Sequence, residues 1–191
     1  MYLIVDTETT GLPRDWKAPH TRIDNWPRIV QLAFVLYDAT GALLAEYAEL
    51  VKPDGFVIPA DATRVHGITT ERARADGVAL ADALTALEAA AAQARVLVAH
   101  NLDFDAKVLR AEYVRTGMAT RIPQLAPACT MLSSTDYCRL PGKYGFKWPS
   151  LQELYGRLFD ADVIDGHDAL VDARACARCF FELRKRGVLV A

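Results

Sequence analysis

The 191-residue chain has few cysteines, no long apolar run and no excess of charge of either sign. No segment approaches the roughly 20 apolar residues of a membrane-spanning helix, which excludes a membrane-embedded protein. Asp6 and Glu8 interrupt the only early apolar run that could act as an export signal. We therefore expect a cytoplasmic protein with free thiols. Cys176 and Cys179 have C-x-x-C spacing but no second pair nearby, so we expect buried small side chains rather than a metal or redox site.

The net charge is close to zero, since 22 basic and 24 acidic residues give −2 at pH 7. Nucleic-acid binders usually carry a basic face, so this total by itself disfavours one. Net charge does not say where the charges lie, however. A hydrophobic content of 52% with so small a charge excludes disorder for most of the chain. The length suits a single domain over residues 1–191 with a sizeable core.

The hydrophobic pattern predicts an α/β protein in which strands come first and then alternate with helices. Strands are predicted at residues 2–6, 28–38, 43–51, 95–99 and 128–131. Helices are predicted in short pieces between residues 60 and 95, broken near Gly67 and Gly77, and at 103–115, 150–159 and 168–186. The first three strands form an antiparallel meander, and the later alternation adds parallel strands. We expect one mixed five-stranded sheet flanked by helices.

Two carboxylates lie at the end of the first predicted strand, in the segment DTETTGL at residues 6–12. Residues i and i+2 of an extended chain point the same way, so Asp6 and Glu8 project from one face. Two like charges this close are costly unless a positive group lies between them. A divalent cation that prefers oxygen ligands, magnesium or manganese, meets that need. The alternative is a solvated acidic strand end with a turn at Gly11.

Two further segments place acids near histidines. HNLDFD at residues 100–105 lies where the fourth strand passes into a helix, a place where ligand sites gather in open α/β sheets. Asp103 and Asp105 could equally be acids favoured by the helix dipole. HDALVD at residues 167–172 opens the last helix, where Asp168 can be a cap but Asp172 lies a turn further in. His167 shares a site with Asp172 only if it lies in the loop above the helix start.

These three segments, in this order and spacing, resemble the three motifs of the DEDDh class of 3′–5′ exonucleases, in the DnaQ-like, ribonuclease H-like superfamily. The first motif corresponds to Asp6 and Glu8, and the second to Asp105 within H-N-x-x-F-D. The third corresponds to His167 and Asp172 within H-x-A-x-x-D. The matching segments span residues 6–172, nearly the whole chain, and the resemblance implies a ribonuclease H-like fold.

The resemblance implies a metal-dependent exonuclease that hydrolyses phosphodiester bonds at single-stranded 3′ ends of DNA or RNA and releases nucleoside 5′-monophosphates. The implied site is Asp6, Glu8, Asp105 and Asp172 for two divalent cations, Mg²⁺ or Mn²⁺, with His167 as general base. Two metals can activate a water and stabilise the leaving 3′-oxygen. An imidazole can take the proton of that water near neutral pH. Asp103 falls at a variable position of the motif, so Asp105 is the implied ligand.

The resemblance also implies residues that would hold the terminal nucleotide: Thr9, Thr10, Gly11, Leu12, His66, Asn101 and Phe104. Leu12 and Phe104 would lie against bases, because stacking on an apolar face tolerates any sequence. Core packing is the alternative for Phe104. A structural turn is the alternative for residues 65–69, which contain His66 in an H-G-I-T segment.

Two segments outside the motifs also bear on substrate binding. Residues 16–27 form a longer connection than the first strands need, which suits a lid or a substrate-facing insertion. Residues 139–148 interleave three basic residues with Tyr144, Phe146 and Trp148. That mixture suits the backbone and bases of a single strand, and a charged surface loop is the alternative.

Two other functions remain open. One is a catalytically silent nucleic-acid-binding module on the same fold, although such a module gains nothing from four carboxylates that repel phosphate. The other is a proofreading or accessory subunit of a DNA polymerase. Proofreading subunits often carry a C-terminal extension, and few residues follow the last predicted helix here, so a stand-alone enzyme is preferred. A homodimer is open, and so is the choice between DNA and RNA, which depends on room for a 2′-hydroxyl.

Overall fold

A mixed sheet of five strands, in the order β3-β2-β1-β4-β5, forms the centre of the molecule. The computed structural model describes residues 1–160 and 167–190. The strands are β1 (Tyr2–Thr9), β2 (Ile29–Tyr37), β3 (Leu43–Leu50), β4 (Val96–Ala99) and β5 (Ala126–Cys129). The β1, β2 and β3 strands form an antiparallel meander, and β1, β4 and β5 run parallel. This arrangement confirms the predicted mixed sheet.

The described residues form seven α-helices around this sheet. They are α1 (Ala60–His66), α2 (Thr70–Asp76), α3 (Leu80–Ala91), α4 (Leu102–Thr116), α5 (Thr130–Cys138), α6 (Leu151–Phe159) and α7 (Ala169–Lys185). Gly67 ends α1 in the left-handed conformation with φ +72°, as its position in the sequence predicts. Ser150 and Glu153 form a reciprocal capping box at the start of α6.

The core lies on both faces of the sheet because the side chains of β1 alternate. Leu3 and Val5 contribute to the cluster that includes α3 and α4, whereas Tyr2 and Ile4 contribute to the cluster that includes α6 and α7. The side chains of Cys176 and Cys179 are buried in the second cluster. Each thiol occupies the place of a small apolar side chain.

The segment after β4 differs from the prediction. The fifth strand covers Ala126–Cys129 rather than residues 128–131, and α5 begins at Thr130. Pro127 cannot donate a backbone hydrogen bond, but β5 is an edge strand, where proline is tolerated. Thr130 and Ser134 are buried in α5, where the Ser134 hydroxyl donates to the Thr130 carbonyl at 2.7 Å. This side chain-to-backbone bond gives a buried hydroxyl a partner within the helix.

Two more predicted boundaries differ. The β1 strand continues past Asp6 to Thr9, because its pairing with β2 extends that far, with an irregularity between Glu8 and Thr9. Residues 139–148 contain a small hairpin of β6 (Pro141–Gly142) and β7 (Gly145–Phe146) rather than an irregular loop. Across the two described ranges, no helix combines the length and the apolar character needed to cross a membrane.

Candidate functional site

The carboxyl end of β1 directs two carboxylates to the side of the sheet that α7 covers. Asp6 and Glu8 continue the alternation begun by Tyr2 and Ile4, both of which pack on the α6–α7 side. Thr7 points to the opposite side, toward α4, and is buried. Asp6 and Glu8 are half-buried and therefore line the rim of the sheet.

Helix α7 brings a histidine and an aspartate to the same rim. Asp168 caps the helix, since its Oδ1 accepts two backbone N–H groups of the first turn at 3.0 and 3.2 Å. His167 lies just before this cap with φ +76°, and its backbone N–H donates to Asp172 Oδ2 at 3.1 Å. One potential ligand atom each from Glu8, His167 and Asp172 lies within 4.8 Å of the other two.

Helix α4 contributes a fourth acid from the other side of the sheet. Asp105, in its first turn, is buried, and its Oδ1 accepts the hydroxyl of Thr7 at 2.9 Å. Asp103 instead forms a surface ion pair with Lys107, at 2.7 Å between Oδ2 and Nζ. The structure thus brings Asp105, and not Asp103, to the carboxylates of β1.

Burial and mutual repulsion raise the pKa of all four carboxyl groups in this cluster. Burial and then the charges of Asp172 and Asp168 raise the pKa of Glu8 to about 7. Burial raises the pKa of Asp105 to about 7 against the lowering effect of the Thr7 hydroxyl. Burial and four neighbouring acids hold the pKa of Asp6 well above its usual range, and burial raises that of Asp172 as well.

This donor set fits a hard divalent cation. Within the described part of the chain, none of the four carboxylates forms an ion pair with a lysine, arginine or histidine. The cluster therefore concentrates negative charge that a positive ion would neutralise. Carboxylate oxygens are the ligands that magnesium and manganese prefer, and Asp6, Glu8, Asp105 and Asp172 are the residues that could hold them.

A glutamine that sequence analysis missed connects the start of α7 to the sheet. Gln31, on β2, pairs with Glu8 across the sheet and is buried. Its amide nitrogen donates to Asp168 Oδ2 and its amide oxygen accepts the N–H of Ala169, both at 3.1 Å. Gln31 thereby holds the start of α7 against the sheet. A single polar residue within the apolar run of β2 is the signal that could have identified it.

The segment after β1 is tied to α1 and to the start of β2. His66 Nδ1 accepts the N–H of Ile68 at 3.0 Å, so its Nε2 carries the proton that points to the Thr9 carbonyl at 3.3 Å. Burial lowers the pKa of His66, although the contact with Thr9 opposes this effect. Thr10 exchanges two hydrogen bonds with the backbone of Arg28, both at 2.9 Å. The backbone that begins at Thr9 is therefore held on two sides.

The remaining predicted substrate residues lie around this segment. Gly11 has φ +138°, a conformation that L side chains rarely adopt, and Leu12 beyond it is 72% exposed. Asn101 lies at the start of α4 with φ +74°. Phe104 packs against the α3–α4 side of the core, and its ring centroid lies 5.8 Å from that of Trp16. Phe104 thus combines the predicted core packing with a contact at the surface.

His100, which belongs to the second motif, contacts two segments that follow it in the chain. Its Nδ1 lies 2.9 Å from the Thr130 hydroxyl and its Nε2 lies 3.0 Å from the Pro149 carbonyl. Burial lowers the pKa of this imidazole. His100 therefore ties the end of β4 to α5 and to the segment before α6.

A buried glutamate on α4 supports the connection between β1 and β2. Glu112 is fully buried and pairs with Arg28 at 3.0 Å and with Arg115 at 3.2 Å. It also accepts the backbone N–H of Ile29 at 3.0 Å. This network fixes the chain where it returns to the sheet after residues 16–27.

Comparisons with known proteins agree with this geometry. A family model described as an exonuclease, RNase_T, matches residues 3–180. An uncharacterized exonuclease, CP81, of Escherichia phage 186 is 28% identical over 97% of this chain and 89% of its own length. A putative bifunctional exonuclease/endonuclease protein, MT2247, of Mycobacterium tuberculosis (strain CDC 1551 / Oshkosh) is 32% identical over 97% of this chain. This chain spans only 26% of that relative.

Solved structures of two exonucleases share the fold. Exonuclease X in complex with 5′-overhanging duplex DNA superposes with a TM-score of 0.64 at 26% identity, over 98% of this chain and 93% of that one. E. coli exonuclease I in complex with a dA16 oligonucleotide superposes with a TM-score of 0.69 at 19% identity, over 96% of this chain. This chain spans about 40% of exonuclease I, and at that identity the likeness concerns the fold alone.

Proposed function

The chain belongs to the RNase_T exonuclease family, and from that premise we propose that it is a metal-dependent 3′–5′ exonuclease acting on single-stranded ends of DNA or RNA. One observation carries the proposal: three separate elements direct four carboxylates and one histidine to the same rim of the sheet. Carboxylates whose pKa is raised by burial and by neighbouring acids, as for Glu8 and Asp6, cost stability and would be retained for a ligand of opposite charge. The same cost argues against a silent nucleic-acid-binding module.

The proposed metal ligands are Asp6, Glu8, Asp105 and Asp172. Two divalent cations, Mg²⁺ or Mn²⁺, would supply Lewis acidity and lower the pKa of bound water when they are present. Asp6 and Glu8 come from rigid β1, and Thr7 holds Asp105 through its hydroxyl. Asp172 accepts the backbone N–H of His167 and so keeps one oxygen turned toward the loop.

His167 is the proposed general base. Its left-handed backbone and its bond to Asp172 fix the residue at the start of α7, while the side chain stays exposed beside Glu8. From there the imidazole can accept the proton of a water that attacks the terminal phosphodiester. The expected products are nucleoside 5′-monophosphates, released one at a time from the 3′ end.

Residues after β1 would hold the terminal nucleotide. The backbone at Thr9, Thr10 and Gly11 is fixed by His66 and Arg28 and can offer hydrogen bonds to that nucleotide. Leu12, which is exposed, can lie against its base. We further propose that residues 1–191 form a single exonuclease domain in a reducing, cytoplasmic setting, in keeping with four free thiols. Neither a homodimer nor a polymerase partner is needed for this chemistry.

The test is hydrolysis of 5′-labelled oligonucleotides by the full chain with Mg²⁺, Mn²⁺ or EDTA. The panel contains single-stranded DNA, single-stranded RNA of the same sequence and a duplex with a 5′ overhang. We expect a ladder that shortens from the 3′ end with either metal and no products in EDTA. Shortening from the 5′ end, or products in EDTA, would contradict the proposal.

Two variants assign the activity to this site. Asp6→Asn should abolish the release of nucleotides from every substrate, because one metal ligand is lost. His167→Ala should lower kcat by about 10²–10⁴-fold, the usual contribution of a positioned acid–base group, and added imidazole should restore part of it. Activity that survives in Asp6→Asn would belong to a contaminant.

A further inference from the structure

Two segments outside the carboxylate cluster meet at one groove. Trp16, from the connection between β1 and β2, and Trp148, from the segment after the β6–β7 hairpin, both line it. The other lining residues are Asn101, Asp103, Cys129, Met131 and Leu132, and the groove has a volume of about 760 Å³. We call it the tryptophan groove. That volume lies within the range of small-molecule sites in proteins.

The tryptophan groove opens at the same edge of the sheet as the carboxylates. The β1, β4 and β5 strands are parallel neighbours, so their carboxyl ends lie side by side. Asp6 and Glu8 lie near the carboxyl end of β1, while Asn101 follows β4 and Cys129 ends β5. Two strand spacings, about 10 Å, separate the ends of β1 and β5. The groove therefore continues from the proposed catalytic site along the sheet edge.

Both tryptophans are exposed but rigidly mounted. Trp16 is 45% exposed and Trp148 is 64% exposed, which is unusual for the largest apolar side chain. Lys107 donates to the Trp16 carbonyl at 3.0 Å, and the Phe104 ring contacts the indole of Trp16. His100 contacts the Pro149 carbonyl at 3.0 Å, directly after Trp148.

Further contacts stiffen the two segments. Asp15 and Asn25 exchange two hydrogen bonds, at 2.8 and 2.9 Å, across the connection that carries Trp16. Lys147 bonds to the Leu140 carbonyl through its backbone N–H and to Glu153 through its side chain. Exposed aromatic rings held this firmly lose little conformational entropy when a flat ligand stacks on them.

We propose that the tryptophan groove binds unpaired nucleobases that precede the 3′-terminal nucleotide, by stacking on Trp16 and Trp148. This inference rests on the proposed function, because it places the substrate strand across the same sheet edge. The lining is mostly apolar, and Arg139 and Lys143, beside and within the β6–β7 hairpin, suit the phosphates of the strand. Aromatic faces stack on any base, so the groove would hold a single strand without sequence preference. Trp16 and Trp148 are then positioning residues for the substrate.

Oligonucleotide binding in EDTA tests the groove without hydrolysis. Fluorescence anisotropy at low ionic strength would compare wild type with Trp16→Ala, Trp148→Ala and the conservative Trp148→Phe. We expect each alanine variant to bind a single-stranded 12-mer about 5- to 100-fold more weakly, as for the loss of one stacked base, and Trp148→Phe to keep most of the affinity. Leu44→Ala is the comparison, since Leu44 is an exposed apolar residue on β3, at the opposite edge of the sheet, and does not line the groove. It should bind within about 2-fold of wild type.

Abasic oligonucleotides locate the stacked base. One of three abasic sites, at the second, third or fourth nucleotide from the 3′ end, should weaken wild-type binding as much as Trp148→Ala does. For that oligonucleotide, Trp148→Ala should have the same Kd as wild type. Under Mg²⁺, the tryptophan variants should raise KM with little change in kcat. Equal losses from Trp148→Ala on every oligonucleotide, or an equal loss in Leu44→Ala, would overturn the proposal.

The outcomes separate this inference from the proposed function. Binding that depends on the tryptophans, in a chain that releases no nucleotide with Mg²⁺ or Mn²⁺, would contradict the exonuclease activity alone. Hydrolysis with unchanged Kd and KM in both alanine variants would contradict the groove alone. If those variants instead abolished a concentration-dependent dimer of the wild type while they kept oligonucleotide affinity, the groove would bind a second copy of the chain and the proposal would be wrong.

Discussion

At the scale of single residues, two aspartates in the same helical turn have opposite surroundings. Asp105 is buried and bonded to Thr7, whereas Asp103 pairs with Lys107 at the surface. They lie two positions apart, which is about 200° around a helix, so only one of them can face the sheet. Helix-dipole arguments explain either residue equally well, but contact with β1 singles out Asp105.

We predict that Asp105→Asn lowers kcat by several powers of ten, while Asp103→Asn lowers it by at most about 5-fold. The first variant removes a proposed metal ligand, and the second removes only a partner of Lys107. Steady-state hydrolysis of a single-stranded oligonucleotide under Mn²⁺ measures both. Equal losses in the two variants would show that the resemblance assigns the wrong acid.

At the scale of elements, the site depends on contacts that join one element to another. Gln31 fastens α7 to β2 through Asp168 and Ala169. Glu112 fastens α4 to the start of β2 through Arg28 and Ile29. Neither side chain belongs to a motif, yet each sets the position of an element that carries proposed site residues.

Gln31→Ala is expected to lower both stability and activity. The variant leaves a capping carboxylate and a buried N–H without partners, a loss of about 1–3 kcal/mol in the free energy of unfolding. Because α7 carries His167 and Asp172, kcat should fall as well. Thr120→Ala is the control, since Thr120 bonds Glu88 at 2.5 Å on the far side of α3 and lies outside the site. It should lose similar stability in urea denaturation but keep wild-type kcat, and a matching loss of kcat there would show that instability alone explains the effect.

Glu112→Gln should destabilise the protein by about 2–4 kcal/mol. Neutralising a buried carboxylate that has two arginine partners strongly destabilises the fold, although the partial exposure of Arg28 reduces the effect. Asp61→Asn provides the comparison, because its pair with Arg64 is exposed and should be worth less than about 1 kcal/mol. Both values come from the midpoints and slopes of chemical denaturation. Similar small losses of stability in both variants would show that Glu112 does not support the connection between β1 and β2.

At the scale of the whole molecule, the net charge depends on how the carboxylates of the proposed metal site are counted. Without the four clustered carboxylates, the formal charge of −2 would be +2. The mild acidity of the chain is therefore no argument against a nucleic-acid enzyme, because it includes acids placed to meet cations. The same carboxylates make the metal-free fold sensitive to pH.

In EDTA, we predict that the native state loses stability as pH rises from about 4 to about 7. The pKa of Glu8 and that of Asp105 are about 7 in the fold, so the native state holds protons that the unfolded chain has already released. The free energy of unfolding therefore decreases as pH rises through that window and stays at its lower value above it. For Glu8 alone the loss is at most about 3 kcal/mol. Glu8→Gln should remove its share of this slope.

Divalent cations should reverse that loss. The rise in Tm on adding Mn²⁺ should be larger at pH 8 than at pH 5, because protons compete for the same oxygens at the lower pH. Thermal unfolding of wild type and Glu8→Gln, each with Mn²⁺ and with EDTA at both pH values, supplies the eight curves. A rise in Tm that is the same at both pH values would argue against binding by these carboxylates.

Sequence analysis correctly predicted the mixed sheet, the positions of most helices and the projection of Asp6 and Glu8 from one face. These follow from local rules, since side chains alternate along a strand and repeat every 3.6 residues along a helix. Three features become visible only in the folded chain. Asp105 rather than Asp103 contacts β1, Gln31 holds α7, and Trp16 and Trp148 line one groove. Each of these depends on residues far apart in the chain, and their distances are set by how the elements pack against one another rather than by any neighbouring residue.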